Sequence, residues 1–200
     1  MVKSISLYNN FDIKNQHKKS IILIGNFDGL HLGHQKLFSL AKKYKKKYSL
    51  KIGVLTFEPM PKMYFNKNIK NFRISNQKQK IDLLKNFNVD FVITKKFNKE
   101  FSKTKSDDFI KKILVKKLNA KFIFVSNNFR FGNNREGNVD LLIKNEYKYN
   151  FKVVKPEPLI KQLKIISSKL IRKQIEKGYL EKADKLLNRK WTLNGVVHKG

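Results

Sequence analysis

Two histidines three residues apart, His31 and His34, sit inside GNFDGLHLGH at residues 25–34, directly after the apolar run at 21–24. The chain has four histidines in all, so half of them fall in one turn that also carries Gly25, Gly29 and Gly33. Such a pair could ligate a metal, act as acid and base, or donate hydrogen bonds to phosphate; a loop without chemistry would show the same spacing. A metal needs more ligands than the turn's Asp28 can add, and there is no H-E-x-x-H. A Walker A loop is ruled out because no G-K-[ST] follows. Glycines let the backbone approach a ligand closely, and a helix starting at His34 would offer free N–H groups and a dipole that favour anions. Phosphate contact therefore fits best. When a nucleophile attacks the α-phosphorus of a nucleoside triphosphate, negative charge grows on the α oxygens, and imidazole N–H donors placed there stabilise it.

Positioning such a turn requires a strand before it and a helix after it. Short β-type blocks at 21–24, 51–57, 90–93, 121–125 and 151–154 alternate with helical stretches at 34–48, 76–86, 106–118 and 140–148, with Ser106 and Asp108 as cap-type residues. That alternation predicts parallel βαβ units, hence an α/β fold: a five-stranded open parallel sheet with helices on both faces. After Pro156 and Pro158 the pattern turns helical at 168–177 and 180–187, a small C-terminal helical segment, and 191–200 reads as one isolated strand. His17 and His198 have no partners at useful spacing, Trp191 reads as an apolar anchor, and Asp107 with Asp108 suits a helix N-terminus.

Composition narrows the classes. The 200 residues contain no cysteine, so thiolate metal sites and disulfides are excluded, and no apolar run approaches the roughly 18 residues of a membrane span. No secretory signal is evident at the N-terminus, which points to the cytoplasm. The net charge of +30 invites a nucleic-acid reading. Only five of the 45 basic residues are Arg, however, and the lysines scatter over every predicted helix, as expected of a solvated surface. Arg130, Arg135 and Arg172 stand where Lys prevails, which suggests a need for the planar fork.

At GNFDGLHLGH the chain resembles the HxGH nucleotidylyltransferases and, within them, the prokaryotic FAD synthetase family, the adenylyltransferase half of bifunctional riboflavin kinase enzymes. Three further stretches carry the resemblance in the family's order. TFEPMP at 56–61 is similar to T-F-x-P-H-P, with Met60 in place of His. FVSNNFRFG at 124–132, followed by Arg135 and Gly137, is similar to V-G-x-[DN]-F-x-F-G, with Ser126 in place of Gly. ISSKLIR at 166–172 is similar to I-S-S-T-x-I-R, with Lys169 in place of Thr.

The resemblance implies a Rossmann-like domain over residues 1–187 that joins FMN and ATP into FAD and pyrophosphate. His31 and His34 would stabilise the α-phosphate, Asn128 would lie near the reacting phosphates, and Ser168 with Arg172 would hold the departing pyrophosphate. Ser168 at a helix start and Arg172 four residues on share one face, which suits that task. Phe57, Phe65 and Phe131 would shape the flavin pocket, and Gly25, Asn26, Phe27, Asp28, Gly33, Pro59, Arg135 and Ser167 would complete the binding surface for ATP and FMN. Asp28 would cap the turn or hold Mg²⁺ through water, the metal being bound mainly by phosphates and not by a protein cage. Residues 188–200 match only the opening of the kinase barrel, so the kinase reaction is expected to be absent. The alternatives are a non-catalytic flavin or nucleotide binder and a basic nucleic-acid binder.

Overall fold

The computed structural model describes residues 4–69, 72–161 and 163–194. In chain order it contains β1 (Ser6–Tyr8), β2 (Ile21–Ile24), α1 (Leu32–Tyr48), β3 (Ile52–Glu58), α2 (Pro61–Phe65), α3 (Gln77–Lys85), β4 (Phe91–Lys96) and α4 (Lys99–Ser102). Then come α5 (Ser106–Asp108), which runs into a π-helical stretch Phe109–Lys117, β5 (Phe122–Phe124), β6 (Arg130–Phe131), β7 (Gly137–Asn138), α6 (Val139–Lys144) and α7 (Glu146–Tyr149). The chain continues with β8 (Lys152–Val154), β9 (Ile160–Lys161), β10 (Lys164–Ile165), α8 (Ser168–Glu176) and α9 (Leu180–Leu187).

Six strands form one parallel sheet in the order β1-β4-β3-β2-β5-β8. The α/β open-sheet expectation holds, with one strand more than the five predicted. The sixth, β1, is a three-residue edge strand of half-buried and exposed residues, too short to show a period, and pairing of Ser6 with Phe91 places it. β4 runs to Lys96, beyond the expected end at 93, because Thr94, Lys95 and Lys96 pair with Thr56, Phe57 and Glu58.

Alternation along the strands sorts the core into two layers, since successive side chains point to opposite faces. Ile21 and Leu23 of β2 join Val54, Val92, Phe124, Leu37, Phe38, Ala41 and Leu84 under α1 and α3. Ile22 and Ile24 join Leu55, Phe57, Ile93, Phe109, Ile113 and Leu142 under the π-helical stretch and α6. Helices thus cover both faces. A third cluster, Ile74, Ile171, Ala183 and Leu187 with Trp191, glues the α8–α9 pair to the segment before α3.

Three local expectations are corrected. The 140–148 helix is two helices, broken where Asn145 ends α6 and its side chain donates to Leu141 O at 2.9 Å. The start of α5 is not capped by its own residues; Glu136 Oε1 accepts from the Ser106 N–H at 2.6 Å from a different turn. His17 is buried, its Nδ1 2.7 Å from the Tyr8 hydroxyl and its ring stacked on Phe91 at 4.6 Å. Residues 191–194 of the expected C-terminal strand pair with no strand, and 195–200, with His198, lie outside the described residues.

Candidate active site

The strand order reverses at β2, which lies between β3 on one side and β5 on the other. In an open parallel sheet the crevice beyond the carboxyl ends of the strands at such a reversal is where ligands bind. The histidine turn leaves β2 and the Asn128 segment leaves β5, so topology brings these two distant motifs to the same place.

The turn is tightly coiled: Phe27 (φ 49°), Gly29 (φ 77°) and Leu30 (φ 40°) all occupy the left-handed region. For Phe and Leu that conformation costs on the order of 1–2 kcal/mol each. Burial offsets it, because Phe27 and Leu30 are sunk among Leu23, Leu37 and Phe38. Gly29 has no such option; a Cβ there would stand 2.9 Å from Ile74 Cγ2. Gly33 permits the other close approach, since its Cβ would meet the His31 ring at 3.2 Å and Ile166 O at 3.3 Å.

α1 begins at Leu32, two residues before the expected start, and His31 is its N-cap: His31 Nδ1 accepts the His34 N–H at 3.4 Å. That contact requires a lone pair on Nδ1, so the proton sits on Nε2, which is left to donate to a ligand. The two imidazoles stack with centroids 3.7 Å apart, and the Phe27 ring meets His34 edge-on at 5.2 Å. Burial, with the nearby Arg172 charge, lowers the His31 pKa from 6.5 to about 4. Burial, His31 and Lys80 push His34 well below its ordinary value. Both rings are therefore neutral at neutral pH, and His34 Nδ1 is buried with no hydrogen-bond partner among the described residues.

Asp28 caps no helix. It is 3% exposed, accepts the Ile74 N–H at 3.0 and 3.2 Å and the Ser75 N–H at 3.3 Å, and pairs with Arg172 Nη1 at 2.7 Å. Burial pushes its pKa up, while the Ser75 N–H and Arg172 pull it down. With its oxygens taken by these donors, Asp28 is a brace between the turn, the 72–75 segment and α8. Ser168 adds a second tie, its Oγ donating to Asp28 O at 2.9 Å, and Ser167, not Ser168, caps α8 by accepting the Leu170 N–H at 3.3 Å. The Arg172 guanidinium lies over the Phe72 ring at 3.9 Å, which leaves its remaining N–H groups fixed in direction. Gly25 closes onto β3 through Leu55 O, and exposed Asn26 offers its carbonyl to Thr56 Oγ1 at 3.4 Å.

The remaining predicted residues divide. Asn128 is exposed at the end of β5, held by Ser126 Oγ at 2.9 Å, and with Arg135, Arg130, Asn138 and Lys155 lines a cleft of about 280 Å³. Phe65 is 70% exposed and makes ring contacts with Tyr64 and Phe97, so one face is free to stack on a planar ligand. Phe57 and Phe131 are core residues instead, packed on Phe101 and on Phe109 and Phe129. Met60 is 2% exposed and fills core space. Lys169 is exposed on the first turn of α8.

Sequence reasoning missed four contributors. Arg189 Nη1 donates to Gly29 O at 2.9 Å, Gln35 Nε2 bridges Leu30 O and Leu187 O, and Arg73 clamps both Glu58 oxygens at the exit of β3. Lys80 is 1% exposed beneath the turn. None lies in a recognisable motif; the scarcity of Arg, applied above to Arg130, Arg135 and Arg172, is the one signal that could have found Arg73 and Arg189.

Residues 13–170 match the family model described as FAD synthetase. A bifunctional riboflavin kinase/FMN adenylyltransferase of Buchnera aphidicola from Acyrthosiphon pisum is 44% identical over 94% of this chain and 60% of its own length. The Escherichia coli K12 protein of the same name is 33% identical over 89% and 57%, and a Listeria monocytogenes FAD synthetase is 29% identical over 92% and 74%. A crystal structure described as a macrolide-efflux protein from Streptococcus pneumoniae superposes with a TM-score of 0.80 at 27% identity, covering 92% of this chain and 60% of the other. The chain thus spans about 60% of the length of the bifunctional relatives it matches. Among the described residues, no helix is long and apolar enough to cross a membrane.

Proposed function

The chain belongs to the FAD synthetase family, and from that premise we propose that it transfers AMP from ATP to FMN, giving FAD and pyrophosphate. The observation that carries this reading is the stacked pair of neutral imidazoles at the N-terminus of α1, beside the reversal of strand order. An FMN phosphate oxygen attacks the α-phosphorus, a new P–O bond forms, and the bond from the α-phosphorus to the bridging oxygen of pyrophosphate breaks. His31 Nε2–H and the His34 ring donate to the α oxygens as charge grows there, and the α1 dipole adds to the same field. Neutral donors suit this task, because they need no proton exchange with solvent before or after the step.

Arg172, aimed by Asp28 and Phe72, receives the leaving pyrophosphate together with the free N–H groups at the start of α8. Asn128 closes the site from β5. Phe65 and Pro59 face the isoalloxazine, and Arg135 lies in the cleft shared with Asn128. Mg²⁺ would be held mainly by the triphosphate and would offset its charge, since Asp28 is already occupied by Arg172 and two backbone donors. We assign the transfer to residues 1–187 and place the protein in the cytoplasm; riboflavin phosphorylation, which the relatives' names include, is assigned to none of these residues.

The test is chromatographic detection of FAD after incubation with FMN, ATP and Mg²⁺. His31→Ala combined with His34→Ala is expected to abolish it. Folded, unaltered protein that forms no FAD would refute the reading.

A further inference from the structure

Among the described residues Lys80 is the one lysine in the buried core, in a chain whose basic residues otherwise face solvent or lie half-exposed. It projects from α3 to the carboxyl end of β3, and its ammonium donates to Thr56 Oγ1 at 3.4 Å. Thr56 in turn donates to Asn26 O at 3.4 Å, so a chain of two hydrogen bonds leads from the buried cation into the nucleotide turn. Asp28 and Glu58 attract Lys80 through space, and each is already in contact with an arginine, Arg172 and Arg73 respectively. Removing a charge from water is costly, and such a group is kept at neutral pH only if something nearby benefits or compensates. Here the two carboxylates compensate, although burial still lowers the Lys80 pKa from 10.5.

We propose that Lys80 is a positioning residue for the triphosphate, a fixed cation behind the turn that holds Asn26 through Thr56 and gives the neutral imidazoles a positive background. The proposal rests on the functional reading above. An arriving triphosphate brings several negative charges towards two rings that must stay uncharged to avoid taking up protons. The groups facing those rings are His31 on His34, Lys80 on His34, and Arg172 on His31. A permanent charge at Lys80 attracts phosphate while opposing imidazole protonation, and it does so without touching the ligand.

The experiment compares ATP binding by calorimetry, without FMN, in the unaltered chain, Lys80→Met and Lys80→Arg, together with urea denaturation of each. Lys80→Met keeps the length of the side chain and removes the charge. It is expected to bind ATP at least roughly tenfold more weakly while its stability stays level or rises, because the cost of burying the ammonium is removed while Asp28 and Glu58 keep their arginine partners. Lys80→Arg keeps the charge and is expected to stay within about threefold of the unaltered affinity. Opposite movement of affinity and stability is a signature that a merely structural lysine does not give. Unchanged affinity in Lys80→Met, equal loss in both variants, or a Lys80→Met chain that is destabilised or fails to fold would each overturn the proposal. Absence of ATP binding by the unaltered chain would instead overturn the functional reading beneath it.

Discussion

Replacing His31 with Gln tests whether the imidazole pair is neutral in the folded protein, because Gln cannot titrate yet offers an oxygen to the His34 N–H that His31 now caps. His31 is 6% exposed, and its pKa falls from 6.5 in an unfolded chain to about 4 when folded. Above pH 6.5 both states hold the ring neutral and the residue contributes no pH dependence. Below that value the unfolded chain takes up the proton first, so the native state loses stability as pH falls towards 4. At about 1.4 kcal/mol per unit, the His31 contribution lost by pH ~4.5 is about 2.5 kcal/mol. For a chain of this size that equals roughly 5–10 °C in Tm. The assay is urea denaturation of both proteins near pH 7 and near pH 4.5. Titrating groups away from His31 cancel in the difference, His34 alone being coupled to it, so His31→Gln should lose about 2.5 kcal/mol less than the unaltered chain on acidification. Equal losses in the two proteins would refute the reasoning and mean that His31 is not held neutral by burial.

Three other expectations follow from single contacts. Gly29→Ala forces a Cβ into the left-handed region and against Ile74, and should cost about 2–3 kcal/mol, read as a fall in the urea midpoint together with weaker FAD formation. Trp191→Phe removes the Nε1–H bond to Ile74 O at 2.9 Å and should destabilise by about 1 kcal/mol in the same assay. Lys169→Thr places a hydroxyl on the exposed first turn of α8 beside Ser168 and should raise the rate of FAD formation by roughly tenfold, the value of one hydrogen bond to a charged group, with stability unchanged.

The histidine turn was readable because its chemistry is local: residue types, glycine spacing and a strand before the turn all fall within fifteen residues. The lysine-rich surface was readable for the same reason, with Lys80 as the exception. Its neighbours in sequence, Lys78 and Lys85, are a surface residue and an ion-paired one, whereas Lys80 shares the buried face of α3 with Leu84, one turn on. The start of α8 at Ser168 agrees with the sequence reading, whereas the choice of Ser167 as its cap was not legible for a related reason. Two adjacent serines are equivalent caps until tertiary contact with Asp28 O takes one of them away. Phe57 and Phe131, expected as pocket walls, are both buried in the layer that contains Phe109.

Periodicity and turn chemistry in the sequence were sufficient to determine a parallel α/β sheet with a glycine-rich histidine turn after its first long strand. The sixth strand, the histidine cap on α1 and the Asp28 brace were decided by tertiary structure, because each depends on groups far apart in the chain. Arg172 and Asp28 are 144 residues apart, and Arg189 and Gly29 are 160 apart. Local sequence sets which backbone wells and faces each segment prefers, but the energy of a buried carboxylate or imidazole depends on which distant donors and charges packing brings to it. That is why GNFDGLHLGH singles out the two histidines, while the burial that holds them neutral comes from the surrounding fold.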